Sequence, residues 1–152
     1  MHFRHLGSFF AVFSCLLLLF AQSLVAQQEG SSVTATNIYA VNSSSNTLIR
    51  FNSRNPGTVT VIGPITGLQG GENVVGIDFR PATGQLYAVG SNSRLYLINK
   101  MSAAATFVAT LSTPLNGTSF GVDFNPVPDR LRIISNTGQN LRVNVVNGVA
   151  IV

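Results

Sequence analysis

Asp78 and Asp123 are the residues whose type and spacing most invite a chemical reading. Two carboxylates brought together by a fold can share the work of general acid and general base. Both stand in the same frame, however. Gly76-Ile77-Asp78-Phe79-Arg80-Pro81 returns 45 residues later (76 to 121) as Gly121-Val122-Asp123-Phe124-Asn125-Pro126. A residue that recurs at one place in a repeat does the same structural job in each unit. An aspartate set between apolar residues just ahead of a proline is suited to accept backbone N–H bonds of the turn, or to meet an arginine of the adjacent unit. Burial tolerates it only when it is so paired. Asp78, Asp123, Pro81 and Pro126 are therefore read as structural repeat positions, and no residue is assigned a catalytic role.

The remaining inventory narrows the chemistry further. The one cysteine, Cys15, and both histidines, His2 and His5, lie in the first fifteen residues. Those residues belong to an export signal: His2, Arg4 and His5 form a basic start, and Leu6 to Ala21 is almost wholly apolar. That core is shorter than the ~20 apolar residues of a membrane span, and it ends in small and polar residues. Cleavage is expected near Ala26 or Ser23, so residues 1–26 are the signal peptide, 27–36 a flexible leader, and 37–152 the folded domain. The location is then secreted, periplasmic or cell-surface, with no membrane contact after cleavage.

The mature chain has no Cys and no His. A Ser-His-Asp triad, thiol catalysis and a disulfide framework are excluded. Zinc would lack its usual ligands, and Glu29, Glu72, Asp78, Asp123 and Asp129 do not cluster as a calcium loop requires. No metal and no cofactor is expected. Loss of Arg4 lowers the formal net charge from +4 to +3, spread over single residues, which does not fit a nucleic-acid partner.

These residues must be positioned by strands. Val74 to Phe79, Gln85 to Val89, Arg94 to Asn99 and Ala105 to Leu111 read as four short strands separated by Pro, Gly, Asn and Ser turns. Asn37 to Val41, Thr47 to Asn52 and Thr58 to Ile62 supply three strands upstream. Phe120 to Asn125, Asp129 to Ser135, Asn140 to Val145 and the beginnings of a strand at Val149 to Val152 follow downstream. The expected fold is all-β, a β-propeller-like array of four-stranded antiparallel blades. About two and a half to three blades are present, against about 4–8 in closed propellers. The array is incomplete, and the reading favours a chain truncated at its C-terminus. Ring assembly, a small sandwich and an open arc are the other solutions. Open blade edges are also sites for self-association.

The segments GIDFRPATGQLYAVGSNSRLYLIN and GTSFGVDFNPVPDRLRIISNTGQNLRVN resemble the bacterial domain of unknown function 4394 family. The resemblance covers about Asn37 to Asn144. IYAVNSSSNTLIRFN is also similar to the broader class of surface-layer-type propellers. Both resemblances imply a propeller-like repeat domain in an exported bacterial protein, and neither implies a reaction. The chain stops before the family pattern is expected to finish.

Phe79, Phe107 and Phe124 are read as packing between blades, and Tyr39, Tyr87 and Tyr96 as rings that pack while their hydroxyls stay wet. The loops offer more. The segments 42–46, 90–94 and 135–140 are expected to share a face with 63–73 and 113–119. They are rich in Asn, Ser, Thr, Gly and Gln, which also make good turns. Glu72, Arg94 and Asn140 are the candidate ligand-face residues, with a sugar, peptide or other cell-surface polymer as partner. The leading expectation is a non-catalytic binding or scaffold module. The alternatives are a fragment of a propeller enzyme whose catalytic residues lie in missing blades, and a self-associating surface protein.

Overall fold

The computed structural model describes residues 34–152, so the expected signal peptide and leader residues 27–33 lie outside the described residues. The described chain forms eleven strands and no helix. They build three sheets in which every neighbouring pair is antiparallel and strand order follows chain order. The first sheet holds β1 (Asn37–Asn42), β2 (Thr47–Asn52) and β3 (Asn55–Pro64). The second holds β4 (Val74–Arg80), β5 (Gln85–Gly90), β6 (Arg94–Ile98) and β7 (Ala105–Thr110). The third holds β8 (Phe120–Asn125), β9 (Arg130–Ser135), β10 (Asn140–Val143) and β11 (Ala150–Ile151).

Burial explains why the strand sequences differ in character. The second sheet is covered on both faces. Leu86, Tyr87, Ala88 and Val89 of β5 are accordingly all buried, and the strand reads as one apolar run. The third sheet is covered on one face, and β9 and β10 alternate: Leu131, Ile133, Leu141 and Val143 are buried, whereas Arg142 and Ile134 are exposed. Each such buried aliphatic side chain contributes about 1.5–3 kcal/mol. Two cores result. One, including Leu48, Leu86, Ala88 and Tyr96, lies between the first and second sheets. The other, including Tyr87, Leu95, Phe124, Leu131 and Leu141, lies between the second and third.

The sheets meet along their leading strands, β4 beside β8 and β1 beside β4. Tyr87 of the second sheet stands edge-on to Phe124 of the third at 5.5 Å, and Tyr39 of the first stands edge-on to Phe79 of the second at 5.5 Å. Asp78 closes the β4–β8 junction: Oδ2 accepts the Phe124 N–H at 2.7 Å, while Oδ1 accepts the N–H of its neighbour Phe79 at 2.8 Å. Gly76 lets the strands approach. A Cβ there would lie 2.3 Å from Val122 Cγ2.

Three expectations need correction. Asp123 does not repeat the job of Asp78 among the described residues: it is exposed, makes no hydrogen bond or ion pair there, and no described strand lies against that side of β8. Phe107 is 43% exposed rather than core, since it sits on the outermost strand of its sheet and meets only the edge of Tyr96. Tyr96 is fully buried with its hydroxyl bonded to protein, so that hydroxyl is not wet.

The outward faces of the two flanking sheets differ. On the first sheet the register aligns Ile38 with Phe51 and Val59, and Ile49 with Val61, and Val59 and Val61 are 50% and 67% exposed. On the third sheet it aligns Asp123 with Arg132 and Arg142.

The glycine contact yields a paired test. Gly76→Ala is expected to destabilise the fold by about 1–3 kcal/mol, the usual cost of overpacking. Gly121→Ala, whose added Cβ would meet nothing within 4 Å, is expected to stay within about 0.5 kcal/mol of the parent. Urea unfolding midpoints measure both. Equal losses at the two positions would contradict the close approach at Gly76.

Candidate functional site

The polar loops gather at one end of the array and interlock. Asn46, in the β1–β2 turn with a left-handed φ of 47°, clamps the connection that leads into β4. Its Nδ2 donates to the Glu72 carbonyl at 3.2 Å and to Asn73 Oδ1 at 2.9 Å, and its Oδ1 accepts the Val74 N–H at 3.0 Å. The β5–β6 turn grips the same connection: the Asn73 N–H donates to Ser91 Oγ at 3.1 Å, and the Ser91 N–H to the Asn73 carbonyl at 2.8 Å. The third sheet repeats the pattern. Asn136 Oδ1 accepts the Thr118 N–H at 3.0 Å, and Gln139 accepts the Asn116 N–H at 2.9 Å while donating to the Pro114 carbonyl at 2.9 Å. Loops lack a ladder, so side chains satisfy the backbone groups that strands would pair.

Glu72 sits at the centre of this clamp, and its side chain is fully buried. Oε2 accepts from the Tyr96 hydroxyl and lies 3.4 Å from Arg94 Nη1, and Oε1 accepts the Asn92 N–H at 2.8 Å. The Tyr96 hydroxyl also accepts the Gln69 N–H at 3.2 Å. Burial, reinforced by the hydrogen bond to Glu72, pushes the Tyr96 pKa above its ordinary value and keeps it a donor. Gly90 makes room, since a Cβ there would lie 2.2 Å from Glu72 Oε1. A buried carboxylate is tolerated because donors surround it. It anchors the connection and is not presented to solvent. Arg94, with 28% of its side chain exposed, is the solvent-facing part of the cluster.

Glu72 and Arg94, two of the three sequence candidates, are thus brought together. Asn140 stands apart on the third sheet, exposed, with its Oδ1 accepting from Arg132 Nη1 at 3.0 Å. Asp78 and Asp123 form no hydrogen-bonded carboxylate pair, since both Asp78 oxygens are taken by backbone N–H groups. Pro81 and Pro126 follow directly on β4 and β8, in the turns that lead to the next strands. The roles of Tyr96 and Asn46 were not anticipated; an Asn in a hairpin turn was the only sequence signal for either. A further ion pair ties β4 to the β8–β9 turn. Arg80 Nε donates to Asp129 Oδ1 at 2.9 Å and Arg80 Nη2 to Asp129 Oδ2, so the guanidinium is held above its ordinary pKa and the carboxyl below its own.

The chain belongs to the family described as Domain of unknown function (DUF4394), which matches residues 47–152. The family resemblance carried by the GIDF and GVDF frames is thereby borne out. No curated protein matches the chain.

Because Tyr96 supplies one of the few donors to a buried carboxylate, Tyr96→Phe is expected to cost about 1–3 kcal/mol in urea unfolding. In a Glu72→Gln background the same substitution is expected to cost less, because the amide carries no charge to leave underpaired. Strict additivity of the two substitutions would refute the coupling.

Proposed function

We propose that residues 37–152 form a propeller-type array of antiparallel blades, exported by a cleaved signal peptide, that works as a non-catalytic binding or scaffold module outside the cytoplasm. Three successive sheets meeting along their leading strands, with the Tyr–Phe contact repeated at both junctions, support the array. The family match names no activity.

The observation that carries the binding reading is the loop end itself. Its polar side chains are spent on fixing the loops, which leaves a rigid surface and little ordering cost on binding. On that surface Arg94 presents donors while Glu72 cancels most of its charge. A neutralised guanidinium suits a hydroxyl-rich, uncharged ligand better than a polyanion. The ligand class is a neutral surface glycan, held by hydrogen bonds from Arg94 and the backbone of the turns.

Two measurements test this reading. Screening the protein on immobilised neutral oligosaccharides, followed by calorimetry, is expected to give saturable binding that Arg94→Ala weakens about tenfold, the scale of one lost charged hydrogen bond. Binding indifferent to Arg94→Ala, or confined to anionic glycans, would count against it. Mass spectrometry of the exported protein is expected to show a new N-terminus at Leu24 or Gln27. An intact Met1 on exported material would refute signal cleavage.

A further inference from the structure

Two part-buried arginines are held by carboxylates: Arg80 pairs with Asp129, and Arg94 with Glu72. Arg50 on β2 is half-buried as well, yet it makes no hydrogen bond or ion pair among the described residues. The register sets it beside Tyr39 and Thr60, on the face that packs against the second sheet. In the second sheet the same position, beside Tyr87, belongs to Leu97, which packs against the core between the second and third sheets. A guanidinium thus stands where an aliphatic side chain would serve packing. A charge drawn out of water costs free energy unless it is paired.

A second cation meets it. Lys100, in the turn after β6, holds its Nζ 5.9 Å from the centre of the Phe79 ring, and that ring stands against Tyr39. A cleft of about 190 Å³ lies between the two cations. Arg50, Thr60 and Ile62 of the first sheet line one side, and Lys100 and Met101 of the turn line the other. Two like charges on one cleft repel, the more so where protein replaces water. The Thr60 hydroxyl makes no hydrogen bond among the described residues and is free to donate. The described carboxylates do not serve this cleft. Glu72, Asp78 and Asp129 are bonded elsewhere, and Asp123 stands on β8 of the third sheet. In the sequence that leaves Glu29, which lies outside the described residues.

We propose that this cleft is an oxyanion site, and that its ligand is a tetrahedral dianion, a phosphate or sulfate group, free or esterified to a sugar. Its double charge matches the two cations, where a lone carboxylate would neutralise only one. The planar fork of Arg50 grips two of its oxygens, Lys100 adds a point charge from the turn, and Thr60 donates to a further oxygen. The site is separate from the loop end: Arg94 opens β6, whereas Lys100 lies just past the other end of that strand. The two sites also differ in kind, since Glu72 neutralises Arg94 and nothing described neutralises Arg50.

The test is an NMR titration of the isotope-labelled full chain with inorganic phosphate at mildly alkaline pH, against sodium chloride at matched ionic strength. Saturable shifts are expected at the amides of Thr60 and Lys100. Arg50→Gln and Lys100→Gln are each expected to weaken binding about tenfold, the scale of one charged hydrogen bond. Lys100 is exposed in a turn, so its substitution tests the site even where Arg50→Gln disturbs the fold. Arg142→Gln removes the same charge from an exposed position of the third sheet and is expected to leave the affinity unchanged. Arg94→Ala is expected to leave it unchanged too, which separates this site from the glycan reading of the loop end. A sugar phosphate monoester is titrated in parallel. Binding tighter than that of inorganic phosphate marks an esterified group as the source, weaker binding marks the free ion, and either supports the site. The proposal is overturned by absence of saturable shifts, by an equal loss in Arg142→Gln, or by tighter binding to a Glu29→Gln chain, which would make Glu29 the occupant.

Discussion

β4 and β8 belong to different sheets, yet they run side by side, and no ladder of hydrogen bonds joins them. Along that line the two sheets are held by side chains, and away from it the Ser112 N–H donates to the Gly148 carbonyl at 2.9 Å and Arg80 pairs with Asp129. Asp78 provides the directional part, accepting a backbone N–H of β8 that no ladder satisfies. Gly76 sets the separation by yielding its side-chain space to Val122. Tyr87 and Phe124 fill the space beyond, edge to face. The three contacts depend on one another. Widen the gap and the carboxylate no longer reaches. Narrow it and Val122 collides. Geometry fixed by one polar and two apolar contacts is what allows the core around Leu95, Leu131 and Leu141 to pack densely.

The loop end follows from the same requirement. A chain that leaves one sheet and begins the next must cross irregular backbone, whose N–H and C=O groups cannot stay unpaired when buried. Asn46, Ser91 and Asn136 pair them from the hairpin turns. Glu72 goes further. Its full negative charge in the interior demands Tyr96, Arg94 and the Asn92 N–H, and that demand pins the β3–β4 connection to the second sheet. The polar richness of these loops is therefore first a structural feature. What remains for recognition is the small set of groups the clamp does not consume, Arg94 foremost.

Much of this was legible in sequence because turns and strands here are marked by local chemistry. β2 and β8 begin and end where the Gly, Asn and Pro punctuation places them. β3 does not: it begins at Asn55 rather than Thr58, since a register shift between Phe51 and Asn52 carries the ladder past Pro56 and Gly57. The site was less legible. Glu72 lies in a polar loop, and a carboxylate in such a loop is ordinarily solvated. Its burial is decided by Tyr96, a partner 24 residues away that no local pattern connects to it. Phe107 failed for a related reason, because strand character gives no information about which strand stands outermost.

Asp78 and Asp123 carry the argument to its end. Their hexapeptides match closely, and local sequence assigns them one role. In the fold one is an inter-sheet bridge and the other is exposed and makes no bond among the described residues. The difference lies in what stands opposite. Around Asp78 the face of the second sheet presents Tyr87, Leu95 and Leu97 to its neighbour; around Asp123 the matching positions are Arg132, Asn140 and Arg142. Arg142 does not by itself bar a docked sheet, because Arg50 holds the equivalent place on β2, opposite Tyr39, on the face that packs against the second sheet. Arg132 and Asn140 are the real departures; Ile134 and Ile151 share their face and are 48% and 58% exposed, so this face is mixed where Val59 and Val61 leave the outward face of the first sheet apolar. A repeat motif in this family thus specifies how a junction can be made. Whether it is made depends on the neighbour, and function has to be assigned by position in the array.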